Sequence, residues 1–377
     1  MKPVLIVDDS ELMRDLLAEW LEQWGYASVC AGEPEEVAPL LQRESFGLVL
    51  LDLYLGSSSG LDVLQELRQL QPDLPVILIS ADREDASVGV AVEFGADDFL
   101  GKPVEPEWLQ AKVERYLLKP EPIVAAEVSD RYELGERVLD GYYRARDRRL
   151  QRSVLLKFGE RERLQREALA LASFCHPQLI QILDSEPDYL VLEDYGLEVL
   201  EAVPASPHSA VTAIGAMLGL VEAVEVLHRR GFLHLGLHPG LLLGRAGGVL
   251  KICDLSGLLA HPLTASVGEY YARTGYAAPE QVDGRFGEPG PRSDQFALAS
   301  ILYFLLTGEA PSPGCLATAF GEPPGLLQKL PWIDPRLEAT CKRAMARHPS
   351  QRFPNLAAFR SALRPSLAEA IAQTRTA

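Results

Sequence analysis

Three short apolar runs, Val4–Val7, Leu48–Leu51 and Val76–Ile79, constrain this chain more than any other feature. Being apolar at every residue, they do not suit a strand with one wet face. They suit strands covered on both sides, as in a parallel sheet. Helical periods lie between them. Leu12, Leu16, Leu17, Trp20, Leu21 and Trp24 recur at helical spacing, behind Ser10 as an N-cap and ahead of Gly25 as a stop. A second period (Leu61, Val63, Leu64, Leu67, Leu70) follows Gly60, and a third occupies Pro106–Leu118. This alternation predicts a right-handed, doubly wound α/β domain of (βα)5 type with a parallel sheet over residues 1–119.

Ligands of such sheets bind beyond the carboxyl ends of the strands. The first run ends at Asp8-Asp9, the second at Asp52 and the third at Ser80, and a fifth strand near Ala96–Leu100 leads to Lys102-Pro103. Each alone is an ordinary residue at a strand end; their joint order carries the argument. Clustered carboxylates repel one another unless a cation lies among them, and oxygen donors suit Mg²⁺. Asp52 can then attack a phosphoryl donor as a carboxylate nucleophile. The metal and Lys102 offset charge on the transferred group, and Ser80 can hydrogen-bond its oxygens.

On these residues the segment 1–119 resembles the receiver domain of bacterial response regulators. The resemblance implies that Asp52 is the phosphoacceptor and that Asp8, Asp9, Asp52 and the backbone carbonyl of Tyr54 hold Mg²⁺. It makes Ser80 and Phe99 the switch residues, and Lys102 the invariant lysine before a cis Pro103. It implies a sensor histidine kinase or phosphotransfer protein as partner, and allows a homodimer through the last strand and helix.

Residues 120–130, with two prolines and no helical period, read as a linker. Residues 131–364 carry a second ordered series of landmarks: YYRARD (142–147), VLLK (154–157), REALALASFCHPQLI (166–180), LHRRGFLHLGLHPGLLL (227–243), CDLSG (253–257), TGYAAPE (274–280) and SDQFALASILYFLLTG (293–308). Their order resembles bacterial Ser/Thr protein kinases and implies a bilobal α+β fold. It makes Lys157 the phosphate-binding lysine, Glu167 its ion-pair partner and Asp254 a metal ligand. It gives Asp294 the structural acid's position and pairs Arg352 with Glu280.

The catalytic positions depart from that family. Gly236 stands where an aspartate should accept the substrate proton, and Leu241 where an asparagine should hold a metal. His238 replaces a lysine, Leu235 an arginine, and Ser256 the glycine that follows the metal-binding aspartate by two. Gly135 survives in the phosphate loop, but Arg137 and Asp140 occupy glycine positions, with Gly141 available in a shifted register. The reading is a pseudokinase acting by binding an unidentified protein. The alternative is residual ATP binding or weak transferase activity through Lys157, Glu167 and Asp254. Lys157 and Glu167 lie only ten residues apart, which is short for the family and leaves their contact in question. Thr264, Ser266, Tyr270, Tyr271 and Thr274 lie in the activation-loop region and could accept phosphate in trans.

A net charge of -17 over 377 residues argues against nucleic acid as a partner. Cys30, Cys175, Cys253, Cys315 and Cys341 form no metal or disulfide spacing. The longest apolar stretch, Ala297–Leu306, is too short for a membrane span. A cytoplasmic protein with no membrane partner is therefore expected, with 365–377 as a short frayed helix or tail.

Overall fold

The computed structural model describes residues 2–56, 58–72, 74–80, 95–117, 128–139, 141–194, 198–199, 206–245, 249–261, 275–282, 284–312 and 325–376. The chain divides into two compact units, with the first division between Lys119 and Pro120. Asp140 and the hydroxyls of Thr264, Ser266, Tyr270, Tyr271 and Thr274 lie outside the described residues, as does most of the linker.

In the first unit the strands are β1 (Val4–Val7), β2 (Ser28–Ala31), β3 (Leu48–Asp52), β4 (Val76–Ser80) and β5 (Asp98–Gly101), in spatial order β2-β1-β3-β4-β5. Every pairing is parallel. The described helices are α1 (Glu11–Gln23), α2 (Val37–Arg43), α3 (Gly60–Leu70) and α4 (Pro106–Leu117). β1, β3 and β4 are buried along their whole length, as their unbroken apolar runs require. Ser10 caps α1 by accepting the Met13 N–H, and Gly25 follows with φ +84°, a left-handed turn that suits glycine. Leu17 and Leu21 of α1 and Leu109 and Val113 of α4 pack against β1, β3 and β4. The sheet order reverses direction between β1 and β3, and beyond that point the ligand crevice of an open α/β sheet lies.

The second unit opens with an antiparallel five-stranded sheet: β6 (Tyr132–Leu139), β7 (Tyr142–Asp147), β8 (Arg152–Phe158), β9 (Ile182–Ser185) and β10 (Tyr189–Glu193), in order β9-β10-β8-β7-β6. Helix α5 (Arg161–Ser173) follows β8. Side chains alternate across this sheet. Tyr132, Ala145, Val154, Leu156, Phe158 and Val191 form one cluster, while Tyr142, Leu155, Leu190 and Leu192 join the main core. The rest is mainly helical, built on α6 (Pro207–Arg229), α7 (Pro291–Thr307), α8 (Pro335–Ala344) and α9 (Leu356–Thr376) around the hairpin β11 (Leu242–Arg245) and β12 (Val249–Ile252). This is the parallel α/β domain followed by the two-lobed α+β domain that the sequence predicts.

One expectation needs correction. The boundary at residue 364 falls inside α9, which runs through Pro365 to Thr376. Ser366 and Ala370 are buried with Leu363, and α9 packs along α6, so residues 365–376 are not a frayed tail. One described helix, His208–Arg229, is also long and apolar enough to cross a membrane by length and composition. Ile214, Met217, Leu220, Val221, Val224 and Leu227 of that helix are nonetheless part of the second unit's core.

A buried knot ties the helical half together. Arg352 and Glu280 form a two-pronged ion pair at 2.6 and 2.7 Å with both side chains fully buried, joined by the Ser293 hydroxyl.

Candidate functional site

In the first unit Asp8 follows β1 and Asp52 ends the adjacent β3, since Val7 and Leu51 are register partners. The carboxylate oxygens of Asp8, Asp9 and Asp52 come within 4.8 Å of one another. Asp8 and Asp52 are buried, whereas Asp9 is exposed. Lys102 reaches in from the end of β5, its Nζ 2.9 Å from Asp8 Oδ2 and 2.6 Å from Asp52 Oδ2. The Lys102 N–H donates to the Ser80 carbonyl at 2.7 Å, and the Lys102-Pro103 bond is cis. The backbone also holds the acids: Ser10 N–H donates to Asp8 Oδ1 at 2.9 Å and Tyr54 N–H to Asp52 Oδ1 at 3.2 Å. A Cβ on Gly60 would stand 2.1 Å from the Asp52 carbonyl oxygen, so only glycine can begin α3 this close to β3.

Burial pushes the Asp52 carboxyl above its ordinary range despite Lys102 and the Tyr54 N–H, and Asp8 adds to the rise. Burial works against the Lys102 ammonium, but Asp52 and Asp8 outweigh it and raise its pKa. Three carboxylates against one ammonium leave excess negative charge beside an exposed edge. An all-oxygen donor set of this kind fits Mg²⁺, with Asp8, Asp9 and Asp52 as the side chains that would hold it. Ser80 is fully buried at the end of β4, and Phe99 is buried in β5 beside Leu78.

The second unit brings Lys157, Glu167 and Asp254 together. β8 ends at Phe158 and α5 begins at Arg161, so Glu167 lies on the second turn and faces back to the strand. Lys157 Nζ contacts Glu167 Oε2 and lies 3.1 Å from Asp254 Oδ2. The short spacing therefore does not prevent the pair. The other Glu167 oxygen accepts the Leu255 N–H at 2.9 Å. One ammonium cannot neutralise both the buried Glu167 and the half-buried Asp254. Burial and then Asp254 push Glu167 up to about 7, while Lys157 and Ser256 overcome burial and hold Asp254 below the usual carboxylate range.

Of the substituted positions, Ser256 bonds directly to this trio. Ser256 donates both its N–H, at 2.8 Å, and its hydroxyl, at 2.6 Å, to Asp254 Oδ1. His238 turns into its own loop, where Nδ1 accepts the Gly240 N–H at 3.1 Å. Leu241 offers only its backbone carbonyl, which takes the Cys253 N–H at 2.9 Å. Gly236 is buried with no side chain to offer. Leu235 has φ +52°, a conformation unusual for a branched residue. Asp294 Oδ1 accepts its N–H at 2.7 Å, and Gln281 donates to its carbonyl at 2.6 Å. His234 is also a structural group: its N–H donates to Asp294, and its Nε2 lies 2.9 Å from the Asp254 carbonyl.

The expected phosphate loop takes another form. Residues 132–139 are a strand, on which Arg137 is exposed and curls back to the Leu139 carbonyl. Gly141, at φ +74°, closes the turn into β7 and accepts the Phe158 N–H. Sequence reasoning missed Tyr142, which follows that turn and enters the trio's surroundings. The available signal was the β7–β8 hairpin register, which places Tyr142 directly opposite Lys157.

The response regulator receiver domain family matches residues 4–114, and the protein kinase domain family matches residues 149–321. The chain is 32% identical to the regulatory protein VirG of Agrobacterium tumefaciens (strain 15955) over 244 residues, covering 60% of this chain and 88% of VirG. It is 30% identical to the serine/threonine-protein kinase Pkn1 of Myxococcus xanthus over 230 residues, 55% of this chain and 32% of Pkn1. It is 33% identical over 120 residues to the alkaline phosphatase synthesis transcriptional regulatory protein PhoP of Bacillus subtilis (strain 168), 32% of this chain and 50% of PhoP. The chain belongs to the response regulator family, and carries a receiver domain followed by a protein kinase domain.

Proposed function

We propose that this protein takes a phosphoryl group on Asp52 from a sensor histidine kinase or phosphotransfer protein and relays that state through its kinase-like domain. The observation that carries the reading is the cluster of Asp8, Asp9, Asp52 and Lys102 at the carboxyl end of the parallel sheet. Asp52 attacks phosphorus as a carboxylate, and Lys102 offsets the charge that builds on the transferred oxygens. Asp8, Asp9, Asp52 and the Tyr54 backbone carbonyl would hold Mg²⁺, which would supply the remaining charge compensation. Ser80 and Phe99 respond to the new phosphoryl group and alter the receiver surface. The kinase-like domain acts by binding a protein partner, because Gly236 and Leu241 supply neither the proton acceptor nor the second metal ligand that phosphoryl transfer to a hydroxyl requires.

The test is intact mass after exposure of the full chain to acetyl phosphate with Mg²⁺. One acid-labile phosphoryl group that disappears in Asp52→Asn is expected. No uptake, or uptake unchanged in Asp52→Asn, removes the reading.

A second reading, nucleotide binding with weak transfer by the kinase-like domain, is favoured by the contact of Lys157 with both Glu167 and Asp254. Phosphorylation of a generic serine peptide by the full chain with Mg²⁺-ATP, lost in Lys157→Ala, would establish it.

A further inference from the structure

The cleft beside Lys157 contains a side chain of its own. Tyr142 and Lys157 are opposite one another in the antiparallel β7–β8 pair, so both project from the same face of the sheet. That face carries the Lys157–Glu167–Asp254 trio. The Tyr142 ring lies under the Lys157 ammonium, with Nζ 5.2 Å from its centroid, a cation–π arrangement. The ring then crosses to the other half of the domain, where its hydroxyl donates to the Cys253 carbonyl at 3.0 Å. Cys253 is the residue immediately before Asp254. Tyr142 is 3% exposed, and belongs to the same core cluster as Leu155, Leu237, Cys253 and Leu255.

The polar groups a nucleotide needs are occupied in the same way. Asp254 Oδ2 faces Lys157, and Asp254 Oδ1 takes two donors from Ser256. Lys157 is committed to two carboxylates. A triphosphate reaching Lys157 must displace the ring packed against it, and a metal arriving with the phosphates must displace Ser256. Leaving the Cys253 carbonyl unpaired in a buried site adds a further cost.

We propose that Tyr142 occupies the place of a nucleotide in the kinase-like domain, tethered to the Cys253 carbonyl and capped by Lys157, and so closes the cleft to nucleoside triphosphates. The inference rests on the protein-binding reading of this domain and deepens it. Tyr142 is then the residue that determines ligand specificity at this cleft, and it pins the two halves of the domain in one arrangement without a ligand. Burial, followed by the nearby Asp254 charge, raises the Tyr142 phenol well above its usual range, which keeps the hydroxyl a donor.

The experiment titrates the full chain with a fluorescent N-methylanthraniloyl ATP and Mg²⁺, alongside Lys157→Ala, Tyr142→Val, Tyr142→Phe and Tyr142→Val/Lys157→Ala. No saturable binding by the wild type is expected. Tyr142→Val should gain affinity by at least about tenfold, and the added Lys157→Ala should remove the gain. Tyr142→Phe keeps the ring volume and loses only the tether, so it should show a smaller gain; it decides the matter should Tyr142→Val not fold. Wild-type binding that depends on Lys157 overturns both this proposal and the protein-binding reading. If the wild type does not bind and neither folded variant gains affinity, the Tyr142 proposal alone is overturned.

Discussion

The two units each contain a lysine clamped between two carboxylates, and the difference between them lies in what surrounds the clamp. In the receiver, Lys102 bridges Asp8 and Asp52, with 23% of its side chain exposed and a third, exposed carboxylate, Asp9, alongside. In the kinase-like domain, Lys157 bridges Glu167 and Asp254, with 9% of its side chain exposed, a tyrosine on the ammonium and a serine on the spare aspartate oxygen. Similar charges thus have opposite fates. The receiver cluster is under-neutralised and open, so it suits a cation and an incoming anion. The second cluster is also short of positive charge, but Tyr142 and Ser256 enclose it, so its lysine behaves as a fastening between strand β8, helix α5 and the segment at Asp254.

The largest effect that tests this contrast is removal of each lysine. Lys157→Met strands the buried Glu167 and the half-buried Asp254 and should lower the stability of the kinase-like domain by about 3 kcal/mol, read from its unfolding transition in denaturant. Lys102→Met should cost the receiver less and be compensated by Mg²⁺. Equal losses would erase the distinction. Next comes the metal itself. Mg²⁺ should raise the receiver's thermal transition and leave the other unmoved, and Asp9→Asn should weaken that binding by about tenfold, or roughly 1.4 kcal/mol. A third change sharpens the comparison from the other side. Ser256→Gly removes a hydroxyl donor from Asp254 and should cost about 1 kcal/mol while making the second transition respond to Mg²⁺. If calorimetry shows no such response, Ser256 is not what keeps metal away.

A separate effect is in pH. A carboxyl that titrates higher when folded holds its proton longer in the folded state, so its ionisation at rising pH opposes folding. Glu167 moves from 4.5 to about 7, so the stability of the kinase-like domain should fall across that window and flatten in Glu167→Gln. Asp52 is also raised, from 3.8, and the receiver should lose stability above that value until Mg²⁺ is added, an effect absent in Asp52→Asn. Asp254 is held below 3.8, so its contribution is lost only on the acid side of that value, outside the Glu167 window.

Much of the receiver was legible because its signals are local. Strands buried on both faces are apolar throughout, and the carboxylates stand at their ends. The five-strand count implies β2, but its residues were not assigned because Ser28–Ala31 is short and only part-buried, with Cys30 exposed. In the second unit, landmark order identified the fold, but contacts across the cleft depend on hairpin register, which composition does not give. The sequence spacing left Lys157 and Glu167 in question because the connection between β8 and α5 could not be seen to be only two residues long. Phe359, Leu363, Ser366 and Ala370 have helical spacing, yet Pro365 concealed it. A proline removes one helix hydrogen bond, and burial against α6 offsets that loss.

The course of α9 also has a mechanical consequence. Arg360 on α9 pairs with Glu222 and Glu225 of α6, and α6 leads within five residues to His234 and the positively twisted Leu235. Tension applied near residue 376 is therefore borne by the helix that aligns the His234–Leu241 loop, not by a slack tether. A fusion, a surface attachment or a binding protein that grips this end has a rigid handle on the segment that carries Gly236, His238 and Leu241.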